Sequence, residues 1–264
     1  MSAFDSICTP TPVGPGRFSV ILPEGWKQGR GLFGGLVTAV MTRALEAQAP
    51  GRPLRSLTSE LCGPLQPGLE VKVVVETLRE GNAVSTCTVR LEQGGEVQAH
   101  GVGVLGKARP ATVDTVFAAV PARPDWRNMP LVPVEPPFGP EFGPNFEFRA
   151  THGFPLSGEE RPRTEGWIRP KDPGATRDAA FLAACADAWW PTLFAIEETM
   201  RPMATVAFTF QPFVRFEGLD PASPLFFRGR LEAMSEGYCV EFRELWGEDG
   251  RLLALNQQTF VVIK

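Results

Sequence analysis

The sequence repeats one pattern in its two halves, and this internal repeat limits the fold more than any other feature. Residues Val75–Val84 (VETLREGNAV) align with Leu231–Val240 (LEAMSEGYCV) at an offset of 156 residues. Gly94 and Gly250 keep the same offset. Each stands where a hairpin must turn, because glycine adopts positive φ without strain. An unbroken register over two hairpins predicts two copies of one structural unit.

Each copy is predicted to contain one helix. Helical periodicity spans Leu32–Ala47, with Leu36 and Leu45 on one apolar stripe. A more apolar helix is predicted over Asp178–Ile196. Pro191 should kink or end it, because proline lacks an N–H and clashes with the preceding turn.

Runs with the alternation of β-strands accompany each predicted helix. The runs of the first copy are Arg17–Leu22, Leu54–Leu61, Leu69–Leu78, Ala83–Leu91 and Val97–Leu105. The runs of the second copy are Phe146–Ala150, Gly166–Ile168, Met203–Phe216, Pro224–Met234, Cys239–Leu245 and Leu252–Ile263. The sequence therefore predicts an α+β architecture in which each half packs a long helix on one curved antiparallel sheet.

Proline is over-represented, with 26 among 264 residues against a usual frequency of about 5%. Its densest run extends from Pro110 to Pro144, and neither a helix nor a central strand tolerates that spacing. We interpret the run as an ordered linker that crosses between two domains. The predicted division is residues 1–109, 110–144 and 145–264.

The overall charge and the cysteines restrict the partners and the compartment. A net charge of −4 gives no footprint for nucleic acid or an anionic membrane, although a local basic cluster would still bind an anionic small ligand. The one long apolar stretch, Ala179–Ile196, contains Asp187, two tryptophans and a proline, so we do not expect a membrane span. Five widely spaced cysteines favour free thiols in a reducing compartment. Residues Met1–Gly16 lack the pattern of a signal peptide, so we expect a cytoplasmic protein.

The familiar cofactor and metal motifs are absent or misplaced. Gly101–Gly106 matches GxGxxG, but Lys107–Pro110 follows it where a dinucleotide fingerprint needs a helix. We interpret the glycines as the end of a strand. The two histidines, His100 and His152, are too few for a multi-histidine metal site. We therefore expect neither a metal ion nor a cofactor.

Asp187 is the only charged residue between Asp178 and Glu197. A carboxylate on so apolar a helix is costly unless it has partners or a chemical task. Desolvation should raise its pKa, which suits a general base. A structural aspartate bonded to a nearby backbone group or hydroxyl explains the residue equally well, and both interpretations stay open at this point.

Polar residues on two later strands occur in one copy of the repeat only. Asn256–Thr259 interrupts an apolar last strand, and Val102 stands at the repeat position of Gln258. Thr205 and Thr209 should lie on one face of their strand, because strands repeat every two residues. A hydroxyl, an amide and a carboxylate in the second copy alone favour a functional site over a folding requirement.

These residues resemble those of the acyl-CoA thioesterase II (TesB-type) family, and the resemblance covers nearly the whole chain. Glu76–Asn82 (ETLREGN) is close to the family's Glu-Thr-Leu-Arg-Asp-Gly-Asn stretch, and Gly31–Gly35 (GLFGG) resembles its Phe-Gly-Gly segment before the first helix. Asp187, Thr205 and Gln258 fall at the family's Asp, Thr/Ser and Gln positions. The resemblance implies two tandem hotdog domains, each a long helix packed on a curved antiparallel sheet.

The sequence departs from the family pattern at two places. Arg55 stands where members often have a histidine. Ala207–Phe210 replaces an expected Asp-His run with a more apolar one. Both departures concern the identity of the substrate more than the class of reaction.

The resemblance also implies an activity and a site. The expected reaction is hydrolysis of acyl-CoA to fatty acid and CoA, in a protein that is expected to be a homo-oligomer. Asp187, Thr205 and Gln258 would hold and activate the attacking water, at one site per chain. Backbone N–H groups near Gly34 and Gly35 would bind the oxyanion. The candidates for walls of an acyl tunnel, each of which could equally be ordinary core, are Trp189, Trp190, Phe181, Phe208 and Phe210.

Two other functions stay open on the sequence alone. One is an enoyl-thioester hydratase, which would need a catalytic histidine beside an aspartate. The other is a non-catalytic protein that binds acyl-CoA or an acyl chain. The survival of three polar residues together disfavours the second alternative.

Overall fold

A computed structural model describes residues 3–113, 115–213, 219–220 and 222–263. The first repeat begins with the short helix α1 (Phe4–Ile7) and contains the long helix α2 (Gly34–Gln48). Its strands are β1 (Thr11–Gly14), β2 (Arg17–Ile21), β3 (Lys27–Gln28), β4 (Gly31–Leu32), β5 (Leu54–Leu61), β6 (Glu70–Glu80), β7 (Val84–Gln93) and β8 (Glu96–Gly106). The second repeat contains the helix α3 (Ala179–Ala188). Its strands are β9 (Phe146–His152), β10 (Arg163–Pro170), β11 (Met203–Pro212), β12 (Leu225–Ser235), β13 (Tyr238–Trp246) and β14 (Leu252–Val262).

The strand order reads the same from both edges of the main sheet. Twelve antiparallel strands, among the residues described, follow the order β1-β2-β6-β7-β8-β5-β11-β14-β13-β12-β10-β9. Each strand of the first repeat in this sheet thus has a counterpart at the mirrored position in the second, while β3 and β4 pair in a separate two-stranded sheet. β5 and β11 join the two halves, with Leu57 opposite Phe210 and Glu60 opposite Ala207. The predicted duplication and the α+β class are confirmed.

The two longer helices pack against each other and against one face of the sheet. α2 lies on β5 to β8, and α3 lies on β10, β11, β13 and β14. All ten residues of α3 are buried, including Asp187. One hydrophobic core runs through both repeats. No helix in the described part of the chain is long and apolar enough to cross a membrane.

The end of α3 differs from the sequence expectation. The helix stops at Ala188 rather than Ile196, and Trp189 is already extended at φ −71 and ψ 146. Pro191 explains the break, because it disfavours a helical conformation in the residue before it and donates no hydrogen bond. A 3₁₀ turn, Thr192–Ala195, follows the break.

The structure also differs from the predicted strands at β1 and at the end of β11. β1 is absent from the predicted strands, because Thr11–Gly14 is exposed throughout and shows no alternation of burial. β11 ends at Pro212. Of the predicted extension to Phe216, residues 214–216 lie outside the described residues.

The proline-rich run forms hydrogen bonds with the second repeat. The indole N–H of Trp167 donates to the Pro124 carbonyl oxygen at 2.9 Å. Arg123 donates to the Gly247 carbonyl oxygen at 2.7 Å, and the Val132 N–H donates to the Phe148 carbonyl oxygen at 2.8 Å. The run is therefore ordered by contacts along its length, while the division at residues 109 and 144 stays a prediction.

Candidate active site

Asp187 lies in the last turn of α3, against the first turn of α2. Its exposed fraction is 8%. A Cβ atom at Gly34 would lie 2.8 Å from Oδ2 of Asp187 and 2.9 Å from Cδ1 of Leu61, so only glycine fits there. The Gly35 backbone N–H lies close enough to the Asp187 carboxylate to lower its pKa. The Gly-Gly pair thus lets the backbone of one helix approach the side chain of the other.

The Asp187 carboxylate supplies the anion that α2 lacks at its own N-terminus. Phe33 occupies the N-cap position and makes no side-chain capping bond, and the first turn contains no acidic residue. Helix N-termini carry unpaired N–H groups and a partial positive charge, so they stabilise an adjacent anion. A carboxylate from the second repeat therefore caps a helix of the first repeat.

Gln258 connects Asp187 to Thr205. The Gln258 side chain is fully buried and lies beside the Asp187 carboxylate, whose pKa it lowers. The Thr205 hydroxyl donates to Oε1 of Gln258 at 3.2 Å. Nε2 of Gln258 also donates to Oδ1 of Asn256 at 2.9 Å, and Asn256 donates to the Thr209 carbonyl oxygen at 2.8 Å. The structure brings the three predicted polar residues into one network and adds Asn256, which fixes the amide of Gln258.

The expectation that Thr205 and Thr209 share a face of β11 is wrong. Phe208 lies opposite Gln258 on the inner face, so Thr209 points to the other face. The pairing register of β11 with β14 shifts between Thr205 and Ala207. Such a bulge adds one residue and turns the preceding side chain to the opposite face. Thr205 therefore reaches Gln258 because of an irregularity that strict alternation does not contain.

The environment raises the pKa of Asp187 above its ordinary value. Desolvation by burial is the main cause, and the negative charge of Glu241 acts in the same direction. The Arg243 cation and the hydrogen bonds from Gln258 and Gly35 oppose this rise. A carboxylate with a raised pKa is a stronger base than a solvated one, which suits proton abstraction from water.

A buried ion pair below the end of α3 was missed by the sequence reasoning. Arg243 and Glu241 lie on β13 with 1% and 0% of their side chains exposed, and Nε of Arg243 donates to Oε1 of Glu241 at 2.8 Å. Alternation along β13 contained the signal, because Cys239 and Leu245, two residues to either side of the pair, are buried apolar residues. Strict alternation along β13 therefore places Glu241 and Arg243 on the inner face of the sheet as well.

The aromatic candidates all lie in the core. Trp189 and Trp190 pack together with ring centroids 4.4 Å apart, and Trp189 stacks on Phe227 at 5.0 Å. Phe208 and Phe210 are buried side by side on β11, with centroids 6.0 Å apart. Phe181 packs edge-on against Phe4 at the opposite end of α3. Their assignment to an acyl tunnel stays a prediction.

The remaining candidates lie away from Asp187. His100 and His152 are surface residues beside different carboxylates, Glu60 at 3.5 Å and Glu159 at 3.6 Å. Arg55, at the other end of β5 from Leu61, donates to the Gly106 carbonyl oxygen at 2.9 Å. The GxGxxG match forms the end of β8, which confirms its interpretation as a strand.

Family models match most of the chain. A model of the acyl-CoA thioesterase N-terminal domain matches residues 22–106, and a model of the acyl-CoA thioesterase C-terminal domain matches residues 114–262. No curated protein sequence matches the chain.

Solved structures share the whole fold. A hot dog fold protein of unknown function from Alicyclobacillus acidocaldarius is 24% identical, with a TM-score of 0.87 over 100% of this chain and 99% of that one. A tesB protein from Mycobacterium avium subspecies paratuberculosis is 18% identical, with a TM-score of 0.80 over 99% and 98% of the two chains. The acyl-CoA thioesterase II TesB2 from Mycobacterium marinum is 17% identical, with a TM-score of 0.77 over 99% and 98%.

Two helix-on-sheet repeats joined through β5 and β11, with one buried carboxylate between their helices, define a double-hotdog protein. Both domain models then fix the family. The chain belongs to the acyl-CoA thioesterase family and is a thioester hydrolase.

Proposed function

We propose that the chain hydrolyses an acyl-CoA thioester to a fatty acid and free CoA, with Asp187 as general base. Gln258 and Thr205 orient the attacking water. The observation that supports this proposal is the hydrogen bond from Thr205 to Gln258, whose side chain acts on the Asp187 carboxylate beside the N-terminus of α2. In the first repeat Val102 stands at the position of Gln258, and the helix segment Gly35–Met41 contains no acidic residue.

The proposed reaction begins with proton transfer from water to the Asp187 carboxylate. The water oxygen attacks the thioester carbonyl carbon, and the carbonyl electron pair moves onto oxygen to form a tetrahedral oxyanion. Collapse of the oxyanion breaks the C–S bond and releases the CoA thiolate. The Asp187 carboxyl then returns the proton to sulfur, so that thioester and water yield acid and thiol.

The oxyanion requires a hydrogen-bond donor that does not already interact with the Asp187 carboxylate. The Gly35 N–H already acts on the Asp187 carboxylate by lowering its pKa. The Gly34 N–H belongs to the same first turn, whose N–H groups lack intrahelical partners. We therefore assign the oxyanion to Gly34 rather than to both glycines. A single donor of this kind contributes about 10²–10³-fold to kcat.

Substrate features follow from what surrounds the carboxylate. The acyl chain is proposed to lie against four apolar side chains, those of Trp189, Trp190, Phe208 and Phe210. The negative charge of the substrate is on its CoA moiety. Free cysteines support a reducing compartment: of the five described, Cys62 is exposed and the other four are buried. We place the activity in cytoplasmic fatty acid metabolism and propose a homo-oligomer.

The two other functions have less support. A hydratase would need a histidine beside the acid, and both histidines lie at the surface beside Glu60 and Glu159. A non-catalytic binder would not need a buried carboxylate, whose desolvation is costly.

Thiol release from saturated acyl-CoA substrates of increasing chain length tests the proposal. The parent protein should release thiol, and Asp187→Asn should not, while both unfold with the same cooperativity. The same protein should be incubated with an enoyl-CoA under conditions in which hydration is followed. Hydration without thiol release, or binding of acyl-CoA without either reaction, would overturn the proposal.

A further inference from the structure

We propose that Arg243 is a positioning residue for Asp187: it clamps the C-terminus of α3 from the strand below and thereby sets the place and charge of the carboxylate. This inference rests on the proposed function and concerns the same site. Neither the family match nor the sequence pattern assigns a role to Arg243 or to its partner Glu241.

The clamp is formed by backbone contacts at the end of the helix. Nη1 of Arg243 donates to the carbonyl oxygens of Ala186 at 2.8 Å and Asp187 at 3.4 Å. The last four carbonyls of a helix have no intrahelical donor and carry a partial negative charge. A guanidinium at this place therefore binds the backbone of the catalytic residue directly.

Glu241 fixes the guanidinium and ties it to the turn that follows α3. One carboxylate oxygen accepts from Nε of Arg243 at 2.8 Å, and the other accepts from the Thr192 N–H at 2.8 Å. Phe227 and Phe260 flank the guanidinium, with ring centroids 5.5 and 5.2 Å from its Cζ atom. The side chain of Arg243 is thus held from several directions.

A purely structural role accounts poorly for this pair. Buried ion pairs contribute little net stability, because the desolvation of both charges offsets their attraction. Nη2 of Arg243 is buried and has no hydrogen-bond partner among the described residues, which adds to that cost. Apolar side chains would fill the same space at lower cost, but they would neither hold the two carbonyls nor place a cation near Asp187.

Few groups besides the pair act on Asp187 electrostatically. β13 contributes the cation of Arg243 and the anion of Glu241, which act in opposite directions. α2 contributes the Gly35 N–H, β14 the amide of Gln258, and β11 the hydroxyl of Thr205 that bonds this amide. These three groups do not titrate, so the pH dependence of catalysis should respond to changes in the β13 pair.

The test is the pH profile of kcat/KM for thiol release in Arg243→Met, Arg243→Lys and Glu241→Gln. Loss of the cation should move the acid limb to higher pH and lower kcat by about 10- to 100-fold, as expected when a hydrogen bond to a charged group is lost. Glu241→Gln should move the limb to lower pH. Arg243→Lys keeps the charge without the planar fork, so it should restore the limb but only part of kcat.

Arg228→Met is the matched control. Arg228 pairs with Glu244, the neighbour of Arg243 on the opposite face of β13, and both side chains are at most 15% exposed. The Arg228→Met variant should have a lower free energy of unfolding, and the acid limb of its pH profile should coincide with that of the parent. If Arg243→Met fails to fold, the acid limb of the pH profile is measured in the double variant Glu241→Gln/Arg243→Met and in Arg243→Lys. These two proteins contain no unpaired buried charge.

A folded Arg243→Met or Glu241→Gln/Arg243→Met protein whose acid limb coincides with that of the parent would overturn the inference. The same result in Arg228→Met and Arg243→Met, with equal stability losses, would reduce Arg243 to a structural residue. Failure of the proposed function looks different, because Asp187→Asn would then retain parental thiol release.

Discussion

The N-termini of α2 and α3 have opposite electrostatic arrangements. At α2 the adjacent anion is Asp187, which comes from the other helix and is acted on by the opposing charges of Arg243 and Glu241. At α3 the helix supplies its own cap, since Asp178 accepts from the Phe181 N–H at 2.9 Å. Arg43 of α2 lies 3.1 Å from the Asp178 carboxylate and neutralises it.

The N-terminal segment completes this difference. Arg43 donates to the Asp5 carbonyl oxygen at 2.5 Å and also bonds the Thr9 hydroxyl. The mirrored contact between the two helices is therefore occupied by an ion pair and a covering segment. A duplicated fold offers two equivalent places for chemistry, and under the proposed function the side chains make one reactive and the other structural.

The largest expected effect separates the two capping carboxylates. Asp187→Asn should reduce kcat/KM for thiol release by about 10²–10⁴-fold, the usual contribution of a general base. Asp178→Asn should leave kcat/KM unchanged, because asparagine also caps helices well. Both variants should be assayed with thermal unfolding in parallel. Equal losses of activity would show that helix capping, and not the acid, controls the rate.

The second effect separates Gln258 from its repeat partner. Gln258→Ala should lower kcat by about 10- to 100-fold, because a hydrogen bond to the charged base is lost. Val102→Ala should leave kcat unchanged. Titration with a slow-turnover acyl-CoA analogue should give one equivalent per chain. Two equal equivalents, or parental activity in Gln258→Ala, would contradict a single site in the second repeat.

The third effect concerns stability against pH. Burial raises the pKa of Asp187 in the folded protein above 3.8, so the folded state holds this proton more tightly than the unfolded state. The stability that this proton contributes is fully present below pH 3.8 and is lost as the pH rises through the pKa of the folded state. The loss amounts to about 1.4 kcal/mol for each pH unit that separates the folded and unfolded pKa values. Urea unfolding across this range should show the loss in the parent and not in Asp187→Asn. Identical slopes in both proteins would exclude a proton bound to Asp187.

The smallest effect separates the two threonines of β11. Thr205→Val removes one hydroxyl donor to Gln258 and should lower kcat by about 3- to 10-fold, the effect of one neutral hydrogen bond. Thr209→Val alters the opposite face and should leave kcat unchanged. Steady-state kinetics on both variants measures the difference. A loss in Thr209→Val as large as that in Thr205→Val would contradict the bulge as the reason for the role of Thr205.

The sequence contained most of the elements but not the contacts between repeats. The hairpin repeat predicted the duplicated sheet, and the isolation of Asp187 on an apolar helix marked it as unusual. Thr205 was predicted as a site residue partly because strict alternation placed it on one face with Thr209. In the structure it reaches Gln258 because of a bulge, which strict alternation does not contain. The buried pair on β13 was within reach of the same alternation. No local pattern reports that Asp187 caps α2, because that contact depends on how two distant segments pack.

The cross-repeat cap also defines what the proline-rich run contributes. Under the proposed function the base comes from the second repeat and the helix beside it from the first, so neither half would contain a complete site. Covalent tethering makes their association intramolecular, with an effective concentration that flexible linkers typically set in the millimolar range. The site would therefore depend on the continuity of the chain between its halves.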